Sequence, residues 1–341
     1  MGKVPRAAAA LLLFVLVACG GDSSSDPADT TTPAPDPASG STTAVPTGDT
    51  SADTTATAVT TTTDGGFPVS VSADNGEVTV AAKPEAIVSL SPTHTEMLFA
   101  MGAGEQVVAV DDQSDHPAEA PVTDLSGFTP NVEAIAGYEP DVVVISTNVE
   151  GLVDELGALA IPVLYLDAPP TVAGAFDQME LLGVATGNVA GASELVAATS
   201  AEIDAVVAEL PDASGLTYFH ELDPTLYTVT SGTFIGDLYA KLGLENIADA
   251  AAEDGLLYPQ LTAEYVLDVD PDLVFLADAE CCGETASSVA ARPGWSEMTA
   301  VATGGVVELD EDISSRWGPR MVDHVAAVAA AIEAVMASST P

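Results

Sequence analysis

The side chains in this sequence with chemistry to offer begin with two glutamates held at matched places in a repeat. Asn131-Val132-Glu133, followed by Pro140-Asp141-Val142-Val143-Val144, recurs as Thr262-Ala263-Glu264 followed by Pro271-Asp272-Leu273-Val274-Phe275, at a constant offset of 131 residues. In each copy a capping residue opens a short helix, a glutamate sits two places later, and Pro-Asp introduces a buried strand seven residues after the glutamate. A carboxylate in a first helical turn gains roughly 0.3–1 kcal/mol from the helix dipole, so either glutamate alone could be structural. Their duplication points instead to two related lobes, each presenting an equivalent surface.

The other reactive groups are scattered. His94, His116 and the pair His220-Glu221 are each a hydrogen-bonded structural residue or a ligand. Three histidines with Glu221 could form a bare-metal site, which needs about four convergent donors, but no two of them stand at i, i+4. His220-Glu221 could do acid–base work, yet no nucleophile accompanies it, and there is no Gly-x-Ser-x-Gly elbow, phosphate-cradling loop or His-Glu-x-x-His helix. The chain therefore reads as a binding protein with no cofactor and no resident metal. Arg316-Trp317-Gly318-Pro319-Arg320 offers a guanidinium that either grips a ligand oxygen or closes a salt bridge, and a ring that either stacks on a flat ligand or packs. Arg320 could equally cap a lobe interface or pair within its own helix.

Elements that would position these groups begin at Phe67, where short β-rich apolar runs alternate with helical ones, as in α/β units with parallel strands. Strands are predicted at 87–90, 107–110, 142–146 and 163–166, with helices at 93–101, 132–136 and 151–159, giving a first lobe over 67–170. A helical segment over 171–212, interrupted near 186–188, leads to a second lobe over 213–341. Its strands are predicted at 217–221, 227–230, 273–277 and 306–309, and a helix over 319–336 closes it. Ligands of open α/β folds sit beyond the carboxyl ends of the strands. That rule selects Ser91, Thr93, His94, Gln113, His116 and Leu125 in the first lobe, and His220, Glu221, Tyr258, Arg316 and Trp317 in the second.

Charge narrows the class further. The 341 residues hold 52 Asp and Glu against 7 Lys and Arg, a formal net charge of −45, so no cationic footprint for nucleic acid can be assembled. A chain this acidic stays soluble and monomeric, in a salty or calcium-rich exterior. Residues 1–18 carry Lys3, Arg6 and an apolar run of about a dozen residues, too short for a span of roughly 20 and typical of a signal peptide. Leu16-Val17-Ala18-Cys19 resembles the bacterial lipobox, in which the cysteine is acylated. Residues 19–66, nearly all Ser, Thr, Pro, Ala, Asp and Gly, read as a tether. With Cys19 acylated, Cys281 and Cys282 can pair with each other in an oxidising exterior or remain thiols; the expectation is a bridge closing a tight turn.

Ile87-Val88-Ser89-Leu90-Ser91-Pro92 with Thr95-Glu96, the two glutamate motifs, Leu242-Gly243-Leu244-Glu245-Asn246-Ile247, the stretch from Tyr258-Pro259-Gln260 to Glu264, and the Arg316–Arg320 motif occur in an order that resembles the bacterial substrate-binding proteins of metal-chelate importers, the cobalamin and iron-siderophore class. The resemblance runs from about Pro84 to Met336. It implies two Rossmann-like lobes joined by a long rigid helix, with ligand in the cleft between them. It further implies one glutamate per lobe, Glu133 and Glu264, docking on arginines of an ABC permease and ATPase complex. The expectation is thus a lipid-anchored, extracytoplasmic, monomeric protein delivering a ferric siderophore or a cobalamin-like corrinoid. Haem or a bare metal is the alternative on the same fold, and a surface enzyme or adhesion module a more distant one. Cobalamin binders of this class set aromatic rings against the corrin, whereas Gln113 and Leu125 stand here, with an aromatic kept at Tyr258.

Overall fold

The computed structural model describes residues 66–338; the signal segment, Cys19 and the tether up to residue 65 lie outside the described residues. A hairpin of β1 (Val69–Ala73) and β2 (Gly76–Val80) precedes β3 (Ile87–Leu90), α1 (Pro92–Ala100), β4 (Val107–Val110), α2 (Val132–Ala136), β5 (Val142–Ile145), α3 (Leu152–Ala158) and β6 (Val163–Tyr165). Two helices, α4 (Val172–Thr186) and α5 (Val189–Glu209), lead to β7 (Thr217–Glu221), α6 (Phe234–Lys241), β8 (Glu245–Asn246), α7 (Ala263–Val269) and β9 (Leu273–Leu276). The chain ends in α8 (Ala279–Cys282), α9 (Ala286–Ala291), α10 (Thr299–Thr303), β10 (Val306–Glu308), α11 (Glu311–Ser315) and α12 (Met321–Ser338).

Each lobe holds a four-stranded, all-parallel sheet, in the orders β4-β3-β5-β6 and β8-β7-β9-β10. Both read second, first, third, fourth, so the sequence repeat is a repeat of topology. Register keeps the same offset: Ile87 faces Val142 in the first lobe and Tyr218 faces Leu273 in the second. The repeated Pro-Asp explains part of this. Asp141 Oδ2 accepts from the N–H of Glu85 and Ala86 (2.8 and 3.0 Å), and Asp272 Oδ2 accepts from the N–H and hydroxyl of Thr217 (2.8 and 3.1 Å). In both lobes one carboxylate fastens the start of the first strand beside the third. All residues of β3, β5 and β9 are buried, as expected of parallel strands covered on both faces.

Three departures from the predicted elements have physical causes. The segment 227–230 is extended but joins no sheet; it pairs with 257–260 through Thr228 N–H to Pro259 O and Thr230 N–H to Leu257 O. The second strand of that lobe is the two-residue β8, whose Glu245-Asn246 has no apolar signature. The β1–β2 hairpin alternates polar and apolar residues and so lacks the continuous apolar run by which the other strands are predicted; it is held to β6 by Asn75, whose amide bonds Val163 O and Tyr165 N–H.

The connecting segment breaks where Gly187, at φ 70°, ends α4. Its longer helix, α5, has 21 residues and so runs for about 32 Å. A Cβ at Gly191 would lie 2.0 Å from Met101 O, so only glycine lets α5 press its backbone on the end of the first lobe's α1. The other side of α5 packs on α12 of the second lobe. One apolar core runs unbroken from Met97 and Leu98 in the first lobe, through Met179 and Leu182, to Leu238, Val328 and Ile332 in the second.

Candidate functional site

Because the strands of each sheet are parallel, the loops that follow them gather at one end of each lobe. In the first lobe the long loop after β4 is anchored by Asp111, whose N–H bonds Ser89 O and whose Oδ1 accepts from Ser114 Oγ at 2.6 Å. Burial pushes the Asp111 carboxyl up to about 6, against the pull of the Ser114 bond. Gly127 crosses directly above it: a Cβ there would meet Asp111 Oδ2 at 2.8 Å and Leu90 O at 2.9 Å. The next residue, Phe128, is turned outward and is 68% exposed, with its N–H held by Ser126 Oγ. Leu125, expected at the cleft, is buried and bridges to Asp111, while Gln113 is exposed.

The matching loop of the second lobe, after β8, carries Tyr258 on the 257–260 segment described above. Its ring is 48% exposed, beside the exposed Leu256 and Leu257. Burial, then the charge of Asp167 on the segment leaving β6, raises its phenol pKa. Phe128 stands three residues before the Asn131 cap and Tyr258 four before the Thr262 cap. Each lobe therefore presents one exposed aromatic ring from the same loop of its repeat. The sequence reading missed Phe128, and the 131-residue offset applied to Tyr258 would have pointed one residue from it.

Where the lobes meet, most of the candidate residues are already engaged. His94 is fully buried, its Nε2 3.2 Å from Gln178 Oε1, and Trp317 Nε1 donates to the same oxygen at 2.8 Å. The two rings pack edge to face at 5.8 Å. Arg316 donates to Glu96 Oε1 (2.8 Å), Asp312 Oδ1 (2.6 Å) and the Gln113 carbonyl (3.2 Å). Arg320 grips the same Glu96 at 3.0 and 2.6 Å. Glu96, in α1, is thus a buried carboxylate shared by two guanidinia from the other lobe. His116 instead lines an outer groove of about 360 Å³ with Glu96, Phe99, Glu119 and Arg320.

Inside the second lobe His220 is fully buried, its Nδ1 2.8 Å from Tyr239 Oη; burial and then His324 pull its pKa down to about 3. Burial alone lowers His324 to about 4, and His94 falls to about 4 by burial against the Gln178 bond. Glu221 is held by both Nη atoms of Arg292, one at 2.6 Å, and Arg292 also reaches Glu284 at 2.8 Å and lies 4.7 Å over the Trp295 ring. The expected Cys281–Cys282 bridge is not formed: both thiols are free and exposed. They end α8, a single helical turn, and the Cys281 thiol has the Cys282 thiol and the Glu311 carboxylate beside it.

The profile of the periplasmic binding protein family matches residues 87–313. The chain belongs to that family. Among its relatives are the ABC transporter substrate-binding lipoprotein YvrC of Bacillus subtilis, 29% identical over 78% of this chain and 86% of that one, and a cobalamin-binding protein of Halobacterium salinarum, 31% identical over 77% and 73%. The solved vitamin B12-binding protein BtuF of Vibrio cholerae superposes with a TM-score of 0.63 at 25% identity, covering 74% of this chain and 98% of that one. A haem-binding protein, RhuT of Roseiflexus, shares the fold at 22% identity, with a TM-score of 0.65 over 74% and 99%. Members of the periplasmic binding protein family are extracytoplasmic substrate-binding components of ABC transport, not enzymes, and so is this chain. On this member Glu133 and Glu264 are exposed in the first turns of α2 and α7, each helix capped by the side chain of the residue two before the glutamate. Helices that precede the third strand of a parallel sheet start at its carboxyl end, so both glutamates lie on the cleft side of their lobes.

Proposed function

We propose that this chain captures a corrinoid outside the cell and hands it to an ABC permease, docking through Glu133 and Glu264 and held to the membrane by a lipid on Cys19. The observation that carries the ligand is the pair of exposed rings, Phe128 and Tyr258, on equivalent loops of the two lobes, suited to the two sides of a broad, flat ligand. Charge supports the same reading. The three arginines among the described residues are committed to Glu96, Asp312, Glu221 and Glu284, and Lys83 reaches the Gly187 carbonyl. That leaves Lys241, exposed at the end of α6, as the uncommitted cation among the described residues, a poor match for an anionic ferric catecholate, whereas a corrinoid with an amide periphery needs none. Gln113 is exposed and would bond those amides, while His94, His220, Glu221, Arg316 and Trp317 would act behind the surface, fixing the loops that bear the contacts. Relatives named as cobalamin-binding add weight.

Haem is the second reading, because Tyr258 is an exposed phenol able to ligate iron. Calorimetric titration of the protein with cobalamin, ferric hydroxamate and catecholate siderophores, and haem separates the two. Saturable binding of cobalamin, weakened in Phe128→Ala and in Tyr258→Ala, is expected. Binding of haem with a Soret shift lost in Tyr258→Phe, and none of cobalamin, would replace the corrinoid reading. Labelling with radioactive fatty acid tests the anchor, with label expected on the wild type and absent from Cys19→Ala.

A further inference from the structure

The second lobe contains a charged cluster for which the first has no counterpart. By the register of the strands, Glu221 at the end of β7 corresponds to Leu90 at the end of β3. Asp278, two residues past β9, corresponds in the same way to Thr147. The fold thus closes over an apolar residue in one lobe and over two carboxyls in the other. Glu221 and Asp278 are both 0% exposed. Glu221 is satisfied by Arg292. Asp278 is not: neither of its carboxylate oxygens receives a hydrogen bond, and although it stands at the N-cap of α8 it caps no N–H there. A buried carboxylate left without a donor is costly, and natural structures rarely tolerate one.

The group within hydrogen-bonding reach of Asp278 is the Glu221 carboxyl, itself an acceptor. Two acceptors face to face are reconciled by a proton between them. A cation would be the alternative, but the Arg292 guanidinium already fills the cluster's other side, and among the described residues no three His, Cys, Asp or Glu side chains converge as a metal site.

We propose that Asp278 carries a proton which it donates to Glu221, making the cleft-side rim of the second lobe responsive to pH. The surrounding charges fit one proton rather than none. Glu284, on the α8–α9 turn, adds a further negative charge, and Arg292 alone opposes the three carboxyls. Glu311 and Glu308, from the flanking segment, are turned to the N–H groups of Cys281 and Ala286. The Cys281 thiol, pushed up by burial and by its thiol and carboxylate neighbours, stays neutral and supplies no charge. Burial, then Glu221 and Glu284, raise the Asp278 carboxyl to about 7, so the proton leaves around neutral pH. Once ionised, Asp278 is repelled by Glu221 and Glu284, and its natural new partners are the first-turn N–H groups of the helix it precedes, where the Cys281 N–H would have to leave Glu311. The rim segment carrying Cys281 and Cys282 moves with that exchange.

Difference infrared spectroscopy of the full-length protein tests this directly. A protonated-carboxyl C=O stretch present at pH 6 is expected to vanish with a midpoint near 7 and to be missing from Asp278→Asn. If Asp278→Asn does not fold, Glu221→Gln serves instead: its amide donates to Asp278, which should then ionise at least one pH unit lower. Tryptophan emission in a Trp317→Phe background gives a second readout, because Trp295 lies under Arg292 and should report the same midpoint. No protonated band at pH 6, or a band unmoved by both substitutions, would overturn the proposal.

Discussion

The two lobes share a strand order, a register offset and a fastening aspartate, yet they treat the carboxyl ends of their strands in opposite ways. The first ends β3 in Leu90 and turns its polar side chains into a small closed network of Ser89, Thr95, Ser114 and Asp111. The second ends β7 in His220-Glu221 and buries two carboxyls and two histidines, with a half-buried guanidinium over one carboxyl. What remains equal between them is the caps, the glutamates and the exposed rings, the parts that the proposed function assigns to a shared partner and ligand. What differs is local business of one lobe.

The largest effect expected from this comparison is on transport. Glu133→Ala combined with Glu264→Ala should abolish uptake of labelled cobalamin by cells while the calorimetric Kd of the purified protein stays unchanged, and each single change should weaken uptake to a similar degree. A strongly unequal pair of single mutants would break the equivalence of the docking faces. Next comes the joint between the lobes. Glu96→Ala leaves Arg316 and Arg320 without their shared buried carboxylate, and the loss should be about 3–5 kcal/mol in urea unfolding. A cost below about 1 kcal/mol would show that the lobes do not lean on that contact.

Acid should expose the difference between the lobes. His94, His220 and His324 are held neutral, with pKa values pulled to about 4, 3 and 4 from an ordinary 6.5. The unfolded chain therefore binds their protons first, so stability is full above pH 6.5 and falls as pH drops towards 4, by on the order of 1 kcal/mol per pH unit for each histidine. Two of the three lie in the second lobe. Hydrogen exchange at pH 5 should open β7 and α12 before β3 and α1, and His324→Gln should flatten the pH profile of the urea midpoint.

Smaller again is the loss of one ring. Phe128→Ala and Tyr258→Ala should each weaken corrinoid binding about tenfold, roughly 1.4 kcal/mol, if the lobes hold the ligand evenly. The smallest effects sharpen the repeat itself: Asn131→Ala and Thr262→Ala should each lower stability by about 1 kcal/mol, equally within error, because each side chain accepts one N–H at the start of its helix.

Much of this was legible in the sequence, because the signals were periodic or duplicated. The apolar runs beginning at Ile87, Val107, Val142 and Leu273 announce buried parallel strands, and the offset between Glu133 and Glu264 gives away the second lobe. The break near Gly187 is marked by Thr-Gly-Asn. The site was less legible, since its character depends on which polar residues are covered. Nothing local separates the buried His94 from the exposed His116, or tells that Arg316 is met by Glu96, 220 positions away. Glu245-Asn246 is a strand solely because Tyr218 lies beside it. Phe128 looks like one loop aromatic until Gly127 is seen pinned over Asp111, and Cys281-Cys282, read as the corner of a tight turn, lies on a helical turn with both thiols free.

The close seat of α5 on Met101 has a kinetic corollary. With one end of that helix pressed on the first lobe, its flank on α12 and a continuous core between, the cleft has no door of its own to open or shut. Ligand entry then needs no rearrangement of the α5 joint. On the proposed function, the dwell time of the ligand is then set by its contacts, and the force that ejects it must come from the permease.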